Sequence, residues 1–474
     1  MASGRRINLP EGSPFERGEP VQFQFEGRPV EGYDNEPLAV SLLAAGARVF
    51  SRSTKFHRPR GPVCLHGHCS GCLMRVNGVP NLRTCQTHCR SGAVVERQTG
   101  WPSTGLDLFR AVDLFSGERL DHHGMFTASS AINRLAGSVV RRLAGLGEPP
   151  SADPQKSVPV SRFKSDVVVI GAGVAGLAAG RALGECGHNV VLLEAEEHRG
   201  GRLLDMATPE GWKQAAAEKN QLESVAGIEV HVETPVLAVY PGDPLEVVAS
   251  NEGETLFISA RRLVVCTGAY EQVPLFENND LPGIFGPRAL DRLTCGYGVV
   301  PGEPLVLVGD RDETLRLAAR LVELDVALAG VVTSRRDTPD LEAVRRKNVE
   351  IFEDRRIVCA HGGKWLDRVE FAPLNSPQRD LVLDCRTCAV EAPEAPAYEL
   401  AHHAGCRVSF SSQNGYRVVV NDEGQTSNSQ IFAAGHVTGA TSVSEAARAG
   451  ERAGLACALS LKDDNKIRER LKSL

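Results

Sequence analysis

The chain lacks both a long apolar segment and a strong excess of charge of one sign. None of its 474 residues lies in an apolar run approaching the length of about 18 that a membrane-spanning helix needs, so we expect no direct membrane span. The paired arginines near the start precede no apolar run, and we therefore expect no secretion signal. A formal net charge of −6 gives no electrostatic reason to expect a nucleic-acid partner.

Cysteine makes up about 3% of the residues, well below its share in disulfide-rich proteins. Thirteen cysteines are too few for a disulfide framework, and this usage is typical of a reducing compartment, so we expect a cytoplasmic protein. The apolar content of 42% and charged content of 24% are ordinary for a soluble globular protein. The length predicts about two to four domains.

Four of the cysteines form the most informative motif. Their spacing is C-x4-C-x2-C-x12-C, and the first three match the loop of a plant-type 2Fe–2S cluster. The predicted cluster ligands are Cys64, Cys69, Cys72 and Cys85. Gly67 and Gly71 give the loop the backbone freedom that wrapping a cluster requires.

A structural zinc site is the alternative for these cysteines, with His66, His68 and His88 also available as ligands. Zinc sites normally combine two close cysteine pairs, whereas this motif has a close triplet and a distant single cysteine. Cys89 follows the motif and is predicted to be a free thiol rather than a ligand.

The residues before the cluster loop predict a β-grasp, ferredoxin-like domain. Apolar and polar residues alternate over 21–25, a turn follows, and residues 29–33 return as the second strand of a hairpin. A helix is predicted after Pro37, with apolar residues at helical spacing. A Pro-rich stretch at 147–159 then separates this part from the remainder.

The second motif follows that linker. A buried strand from Asp166 runs into G-x-G-x-x-G at Gly171, Gly173 and Gly176, and a helix follows. These glycines permit a tight turn, close approach of a pyrophosphate and close helix–strand packing, while the helix N-terminus binds the phosphates. Glu194 ends the next strand and is expected to bind the adenosine ribose hydroxyls.

Several further segments resemble two-dinucleotide-binding-domain flavoproteins. Residues 199–202 resemble the second phosphate-binding element, 234–236 the strand beside the adenine, 263–269 the exit from the FAD domain, and 431–439 the element beside the flavin ribitol. His436 stands where these proteins usually have aspartate and can still form hydrogen bonds. The resemblance favours FAD, with NAD as the alternative at the same site. It implies these cofactor-binding residues: Gly171, Gly173, Val174, Ala175, Gly176, Glu194, Ala195, Gly200, Gly201, Arg202, Val236, Thr267, Gly268, Gly435 and His436.

A second, degenerate nucleotide lobe is predicted at 271–389. The strand at 304–308 leads into a helix, but only Gly309 of the three glycines is present. Asp310, Asp312 and Glu313 would place negative charge where a pyrophosphate would bind, so we expect no tight NAD binding there. The nearby pair Cys385 and Cys388 has redox-motif spacing, but incidental buried cysteines are the preferred interpretation.

The sequence therefore predicts an α/β protein with an α+β N-terminal part. Residues 1–110 are expected to form the 2Fe–2S domain, and 111–160 a helical connector and linker. Residues 161–270 and 390–474 are expected to form the FAD-binding domain, and the second lobe completes a two-dinucleotide-binding (Rossmann-type) fold.

A family resemblance adds a function. Residues 53–61 resemble the S-x-K-x-H-R-P-R-G element of the heterotetrameric sarcosine oxidase α subunit, and 77–87 resemble the 2Fe–2S subunit of hydrogen cyanide synthase. The remainder is similar to the α subunits of hydrogen cyanide synthase and of dye-linked proline and opine dehydrogenases. The similarity extends from about Val21 to Cys457, as in a fusion of a cluster subunit with a dinucleotide-binding subunit.

This resemblance implies an α-type subunit of a heteromeric flavin-dependent amine or amino-acid dehydrogenase or oxidase. An FAD-containing β-type partner, with further small subunits, would bind the amine or amino-acid substrate, and electrons would pass through this chain's nucleotide and cluster. No catalytic residue is identified in this chain. The alternatives are a non-catalytic electron-transfer and assembly subunit with a structural nucleotide, and a self-contained NAD(P)H-dependent reductase.

Overall fold

A computed structural model describes residues 4–9, 12–54, 56–101, 103–111, 158–205, 208–412 and 415–474. The chain divides into two compact units, one formed by Met1–Pro154 with Val273–Ala392 and the other by Gln155–Gln272 with Pro393–Leu474. The predicted connector and linker at 112–157 lie outside the described residues. No helix in the described ranges combines the length and apolar character that crossing a bilayer requires.

The N-terminal part of the first unit is a five-stranded sheet covered by the helix Leu38–Ala44. The strands run in the order Arg28–Tyr33, Pro20–Phe25, Val94–Glu96, Leu73–Val76 and Val79–Arg83. Pro20–Phe25 pairs in parallel with Val94–Glu96, whereas the other pairings are antiparallel. Alternation along the second strand buries Phe23, and six residues of the helix are buried on the sheet. This arrangement is the predicted β-grasp.

The second part of the same unit is a parallel sheet with helices. Its strands run in the order Ile284–Phe285, Thr387–Val390, Leu305–Val308, Leu328–Thr333 and Ile351–Glu353. The helices are Pro287–Asp291, Asp312–Glu323 and Pro339–Arg346, with a π-helical turn at Arg292–Gly296. A separate antiparallel sheet consists of Arg355–Gly362, Leu366–Pro373 and Leu381–Asp384. The strand–helix–strand order is that of a Rossmann lobe.

Several contacts connect these parts within the first unit. The short strand Arg5–Arg6 pairs with Val299–Val300 of the Rossmann lobe. Arg60, which lies just before the cluster loop, forms an ion pair with Asp280 at 2.8 Å. The cluster loop is thus anchored to the second lobe as well as to its own sheet.

The second unit contains the other Rossmann lobe. Its sheet runs in the order Ile228–His231, Val190–Leu193, Val160–Ile170, Thr255–Val265, Leu245–Ser250 and Val236–Tyr240. Ile431–Ala433 adds in parallel beside the end of Thr255–Val265. The helices are Val174–Glu185, Pro209–Glu223, Glu399–His403, Val443–Leu461 and Asn465–Lys472. Short strands at Ala269–Tyr270, Ala395–Pro396, Val408–Ser411 and Gly415–Val418 complete the unit.

Small residues set the position of the helix that follows the glycine motif. A Cβ on Gly450 would lie 2.1 Å from the Ala175 carbonyl oxygen, and one on Gly454 would lie 2.7 Å from the Ala179 carbonyl oxygen. The helix Val443–Leu461 therefore packs directly against the backbone of Val174–Glu185. The last residues of the preceding strand, Val160–Ile170, are apolar and buried. The N-terminus of Val174–Glu185 is therefore fixed at the carboxyl end of this strand.

Candidate functional site

The four predicted cluster cysteines come together as two pairs. The Sγ atoms of Cys72 and Cys85 are 3.5 Å apart. Cys64 and Cys69 also lie close enough for each thiol to shift the pKa of the other. Each iron of a 2Fe–2S cluster takes two thiolates in addition to the shared sulfides, so two pairs are the ligand arrangement that this cluster needs.

Tetrahedral zinc would require a different arrangement. Four ligands about 2.3 Å from one ion lie roughly 3.7 Å from each other, so all four sulfurs would surround one point. Within the described residues, no three of these cysteine sulfurs lie within 4.8 Å of one another. The geometry therefore fits two irons better than one zinc.

The loop favours thiolate charge at one member of each pair. The hydrogen bond with Cys64 lowers the pKa of Cys69 to about 5, and backbone N–H groups around the loop contribute. The hydrogen bond with Cys85 likewise lowers the pKa of Cys72. The backbone N–H of His68 also donates to Cys64 Sγ at 3.3 Å. Converging amides of this kind stabilise sulfur charge in a cluster site.

Tight packing explains the two loop glycines. Gly67 has a φ of +74°, and a Cβ there would lie 2.2 Å from the side chain of Gln86. At Gly71 a Cβ would lie 2.1 Å from the Gly61 carbonyl oxygen. A larger residue at either position would displace the cysteines that flank it.

Cys89 lies away from the two pairs. Its Sγ is 3.3 Å from Ser41 Oγ between the helix and the sheet, and burial raises its pKa to about 12. His88 Nδ1 lies 2.9 Å from the Asn35 carbonyl oxygen. Both side chains therefore make contacts outside the two cysteine pairs.

A buried ionic network beside the loop was missed by the sequence reasoning. His57 Nδ1 lies 2.8 Å from Asp107 Oδ2, and Arg52 Nε lies 3.5 Å from the same oxygen. All three side chains are almost fully buried. Ser51 also donates to the Gly71 carbonyl oxygen at 3.1 Å. Arg52 precedes the motif at 53–61 and His57 lies within it, whereas Asp107 is 50 positions after His57 and has no local signal.

The glycine motif of the second unit forms an open cradle. Gly171 has a φ of +96°, and Cβ atoms on Gly171 and Gly176 would lie 2.4 Å and 1.8 Å from backbone oxygens, so both positions require glycine. A Cβ on Gly173, in contrast, would meet only the Gly201 Cα at 4.0 Å. The Gly200 N–H donates to the Ala172 carbonyl oxygen at 2.9 Å. The two glycine loops therefore face each other, with space above Gly173 for a pyrophosphate at the N-terminus of Val174–Glu185.

Glu194 lies at the edge of this cradle. Its Oε2 accepts a hydrogen bond from the Ala172 N–H at 2.6 Å, and its Oε1 accepts one from the Glu196 N–H at 2.9 Å. Burial, followed by the charge of Glu196, raises its pKa to about 7. Both oxygens retain lone pairs that ribose hydroxyls could use. Ala195 is the exposed next residue.

His436 of the predicted ribitol element belongs to a chain of three polar side chains. Arg202 donates to Glu394 at 2.5 Å and lies 3.4 Å from His436 Nε2. A Cβ on Gly435 would lie 2.9 Å from the Cβ of Ala175, which brings this element against the first turn of the glycine-motif helix. The sequence identified Arg202 and His436 but not Glu394.

The remaining predicted residues lie on or between other strands of the second unit. The Thr267 hydroxyl donates to the Ala397 carbonyl oxygen at 2.6 Å, and the Ala397 N–H donates to the Gly268 carbonyl oxygen at 3.0 Å. These bonds extend the pairing of the short strands Ala269–Tyr270 and Ala395–Pro396. Val236 begins its strand and packs on the core of the sheet.

The corresponding position in the other Rossmann lobe is filled by a side chain. Glu391 Oε2 accepts hydrogen bonds from the backbone N–H groups of Asp310 at 3.2 Å and Arg311 at 3.0 Å, and from the Thr314 hydroxyl at 2.8 Å. A Cβ on Gly309 would lie 2.4 Å from that same oxygen. The carboxylate thus takes the place at the helix N-terminus where a dinucleotide would put its phosphate. Sequence reasoning had attributed the repulsion to Asp310 and its neighbours. The acid that occupies the place is Glu391, 81 positions after Asp310.

Two protein-family models match parts of the chain. Residues 18–100 match the 2Fe-2S iron-sulfur cluster binding domain, and residues 165–309 match the pyridine nucleotide-disulphide oxidoreductase family. Together with the geometry, these matches define the class: a protein with a 2Fe–2S domain and a Rossmann-type dinucleotide fold. They confirm the expected 2Fe–2S cluster and a flavin or nucleotide cofactor.

The chain is also similar to individual proteins of known activity. The sarcosine oxidase alpha chain of Rhizobium meliloti (strain 1021) is 29% identical over 85% of this chain and 43% of its own length. An opine oxidase subunit of Agrobacterium tumefaciens (strain Ach5) is 23% identical over 63% of this chain and 66% of its own. The chain spans less than half the length of the sarcosine oxidase α subunits that it matches. The predicted resemblance to sarcosine oxidase α subunits is confirmed.

A solved structure supports the fold. The crystal structure of L-proline dehydrogenase from P. horikoshii aligns with 98% of this chain and 78% of that chain, with a TM-score of 0.69 and 20% identity. The predicted fold class, a ferredoxin-like domain followed by a two-dinucleotide-binding fold, is confirmed.

Proposed function

We propose that the chain is the electron-transferring α-type subunit of a heteromeric flavin-dependent amine or amino-acid dehydrogenase or oxidase. The observation that carries the proposal is the contrast between its two Rossmann lobes. One presents an open cradle beside Glu194, whereas Glu391 occupies the phosphate position of the other. One dinucleotide and one cluster suit a relay between a partner and an acceptor.

In this proposal, residues of the chain bind the cluster and the nucleotide. Cys64 and Cys69 would bind one iron, and Cys72 and Cys85 the other. Gly173 and Gly201 leave room for the pyrophosphate, and Glu194 accepts hydrogen bonds from the ribose. When bound, the flavin and the cluster together allow a two-electron oxidation to supply a one-electron acceptor.

FAD is the proposed nucleotide. The second glycine loop and the Arg202–Glu394–His436 chain extend the polar surface beyond Glu194, as a flavin dinucleotide requires. NAD at the same site is the alternative that nucleotide identification would distinguish.

The partner is proposed from the relatives. The matching proteins are named as subunits of sarcosine oxidase and opine oxidase. We propose an FAD-containing β-type subunit that binds a small amine or amino acid, with additional small subunits in a cytoplasmic complex. A self-contained NAD(P)H reductase would need a second dinucleotide site. It is disfavoured because Glu391 occupies the phosphate position of the second Rossmann lobe.

The test is substrate-dependent reduction of the cluster in the reconstituted complex. With a β-type partner and sarcosine, proline or an opine, a rhombic electron paramagnetic resonance signal of a reduced 2Fe–2S cluster should appear. Without the partner, the chain should neither show that signal nor turn over substrate with a dye acceptor. Robust turnover by the chain alone would overturn the proposal.

Matched cysteine variants separate the relay from a mere assembly role. Cys72→Ser should abolish the signal and the electron transfer, whereas Cys89→Ser should retain both because its thiol contacts Ser41 rather than the pairs. Full partner-dependent activity in Cys72→Ser would favour the assembly role with a structural nucleotide.

A further inference from the structure

A group of metal-ligand side chains lies on the three-stranded sheet of the first unit, apart from the cluster and nucleotide sites. Cys359 and His361 lie on the strand Arg355–Gly362, and Glu370 lies on the neighbouring strand Leu366–Pro373. One ligand atom from each of these three residues lies within 4.8 Å of the other two. Their donor atoms are sulfur, nitrogen and oxygen.

The register of the strands explains this convergence. Cys359 and Glu370 are directly opposite each other in the antiparallel pair, and His361 follows two residues after Cys359. Side chains in such positions share one face and are neighbours. On the other side of Cys359, the backbone of Glu277 pairs with the strand at the same level. Carboxylates therefore flank the buried thiol from both sides.

The polar atoms of the group are arranged toward a common centre. Arg379 contacts Oε2 of Glu370 at 2.6 Å and Oε2 of Glu277 at 3.1 Å. The other oxygen of Glu370, Oε1, lies 3.0 Å from His361 Nε2. Among the described residues, no hydrogen-bond partner of acceptable geometry serves this buried nitrogen. The Cys359 thiol lies 3.5 Å from the Ala360 carbonyl oxygen and accepts a 3.9 Å hydrogen bond from the Asn278 side-chain amide.

We propose that Cys359, His361 and Glu370 bind a zinc ion, with water or the nearby Glu277 carboxylate in the fourth position. Zinc accepts sulfur, nitrogen and oxygen ligands in one site, whereas magnesium and calcium require oxygen alone. Tetrahedral ligands at 2.0–2.3 Å from zinc are separated by about 3.3–3.7 Å, so the side chains need only close in from their present separation.

Charge and proton balance are satisfied. Binding releases the thiol proton of Cys359 to solvent, and His361 binds as the neutral imidazole. The thiolate and the Glu370 carboxylate then neutralise Zn²⁺, while Arg379 balances Glu277. By holding the outer oxygens of both carboxylates, Arg379 also orients them, as outer-shell groups commonly do for metal ligands. The ion would join two strands and the segment preceding them.

The experiment measures zinc in the full chain after brief chelation, equilibration with zinc sulfate and gel filtration. Elemental analysis should find about one zinc per chain in the wild type and close to none in Cys359→Ser. His361→Ala gives a second test, because this half-exposed side chain can be truncated with little risk to folding. Replacing zinc with Co²⁺ should produce a thiolate charge-transfer band, measured as a difference spectrum, that Cys359→Ser lacks.

Two cysteine variants are the controls. Cys385→Ser alters another buried cysteine of the same unit and should keep its zinc and its cobalt band. Cys72→Ser should also keep its zinc, which distinguishes this site from zinc bound at the cluster cysteines. Absence of zinc from the wild type, retention in both Cys359→Ser and His361→Ala, or loss in Cys72→Ser instead would each overturn the proposal.

Discussion

Both Rossmann lobes contain a strand, a turn and a helix in the same order. They differ in what lies at the N-terminus of that helix, where a phosphate would bind. In the lobe at Gly171–Gly176, no side-chain hydrogen bond caps the helix, and a second glycine loop faces its N-terminus. In the lobe at Gly309, the carboxylate of Glu391 accepts the amide hydrogen bonds that a phosphate would otherwise accept. A Rossmann fold by itself therefore does not indicate a nucleotide site; the occupancy of the helix N-terminus does.

The difference also separates roles within the chain. The lobe that carries Glu391 belongs to the same unit as the cluster loop, to which Asp280 and Arg60 connect it. This lobe therefore supports the cluster domain while its phosphate position is filled from within. The lobe with the open cradle is in the other unit.

Gly173→Val is expected to have the largest effect on the nucleotide content of the chain. A Cβ at this position meets only Gly201 Cα at 4.0 Å, so the variant should fold. Its side chain would occupy the space of the pyrophosphate, and the nucleotide content should fall by more than about tenfold. Absorbance and released nucleotide measure this. Full occupancy in a folded variant would show that the motif is only a turn.

A graded effect is expected at Glu194. Glu194→Gln removes a charged acceptor from the ribose hydroxyls, and nucleotide affinity should fall by about 10- to 100-fold. Burial raises the pKa of this carboxyl to about 7, and accepting ribose hydrogen bonds favours its ionised form. Binding should therefore release a proton, and affinity should rise with pH between about 6 and 8.

The Gln variant provides the control for that pH dependence. Titration by calorimetry in two buffers should show a rise in affinity for the wild type and a flat profile for Glu194→Gln between about pH 6 and 8. An equal pH dependence in both proteins would assign the proton to another group and would remove Glu194 from the ribose site.

A smaller effect is expected in the second lobe. Glu391→Ala leaves the amides of Asp310 and Arg311 and the Thr314 hydroxyl without their acceptor, and unfolding free energy should fall by about 1–3 kcal/mol. Nucleotide content should stay the same. Inorganic phosphate should restore part of the lost stability in this variant more than in the wild type, because an anion can replace the carboxylate. A second nucleotide bound to the wild type through this lobe would contradict the comparison.

Local patterns in the sequence were sufficient for both halves of the fold. The cysteine spacing and the three glycines act within a dozen residues, where turn geometry and helix–strand packing dictate residue type. The strands around Phe23 and Val167–Ile170 followed from apolar patterning in the same way. The assignment of individual residues to cofactor contacts remains a prediction.

Long-range partners could not be found in this way. Glu391 reaches the second-lobe turn from the far end of that lobe, and Asp107 reaches His57 across 50 positions. Glu394 likewise contacts Arg202 from 192 positions away. The partners of each acid are distant in the sequence, so neither periodicity nor spacing distinguishes these acids from solvated side chains. Only the folded chain places these carboxylates beside their donors.

The number and the identity of the nucleotides that the chain binds distinguish an electron-transfer subunit from a self-contained reductase. Denaturing the purified protein and identifying the released nucleotides by mass should yield FAD at about one per chain, with none left in Gly173→Val and an unchanged amount in Glu391→Ala. Two nucleotides per chain, or a nicotinamide dinucleotide that disappears when the second lobe is altered, would contradict the account and favour a self-contained reductase.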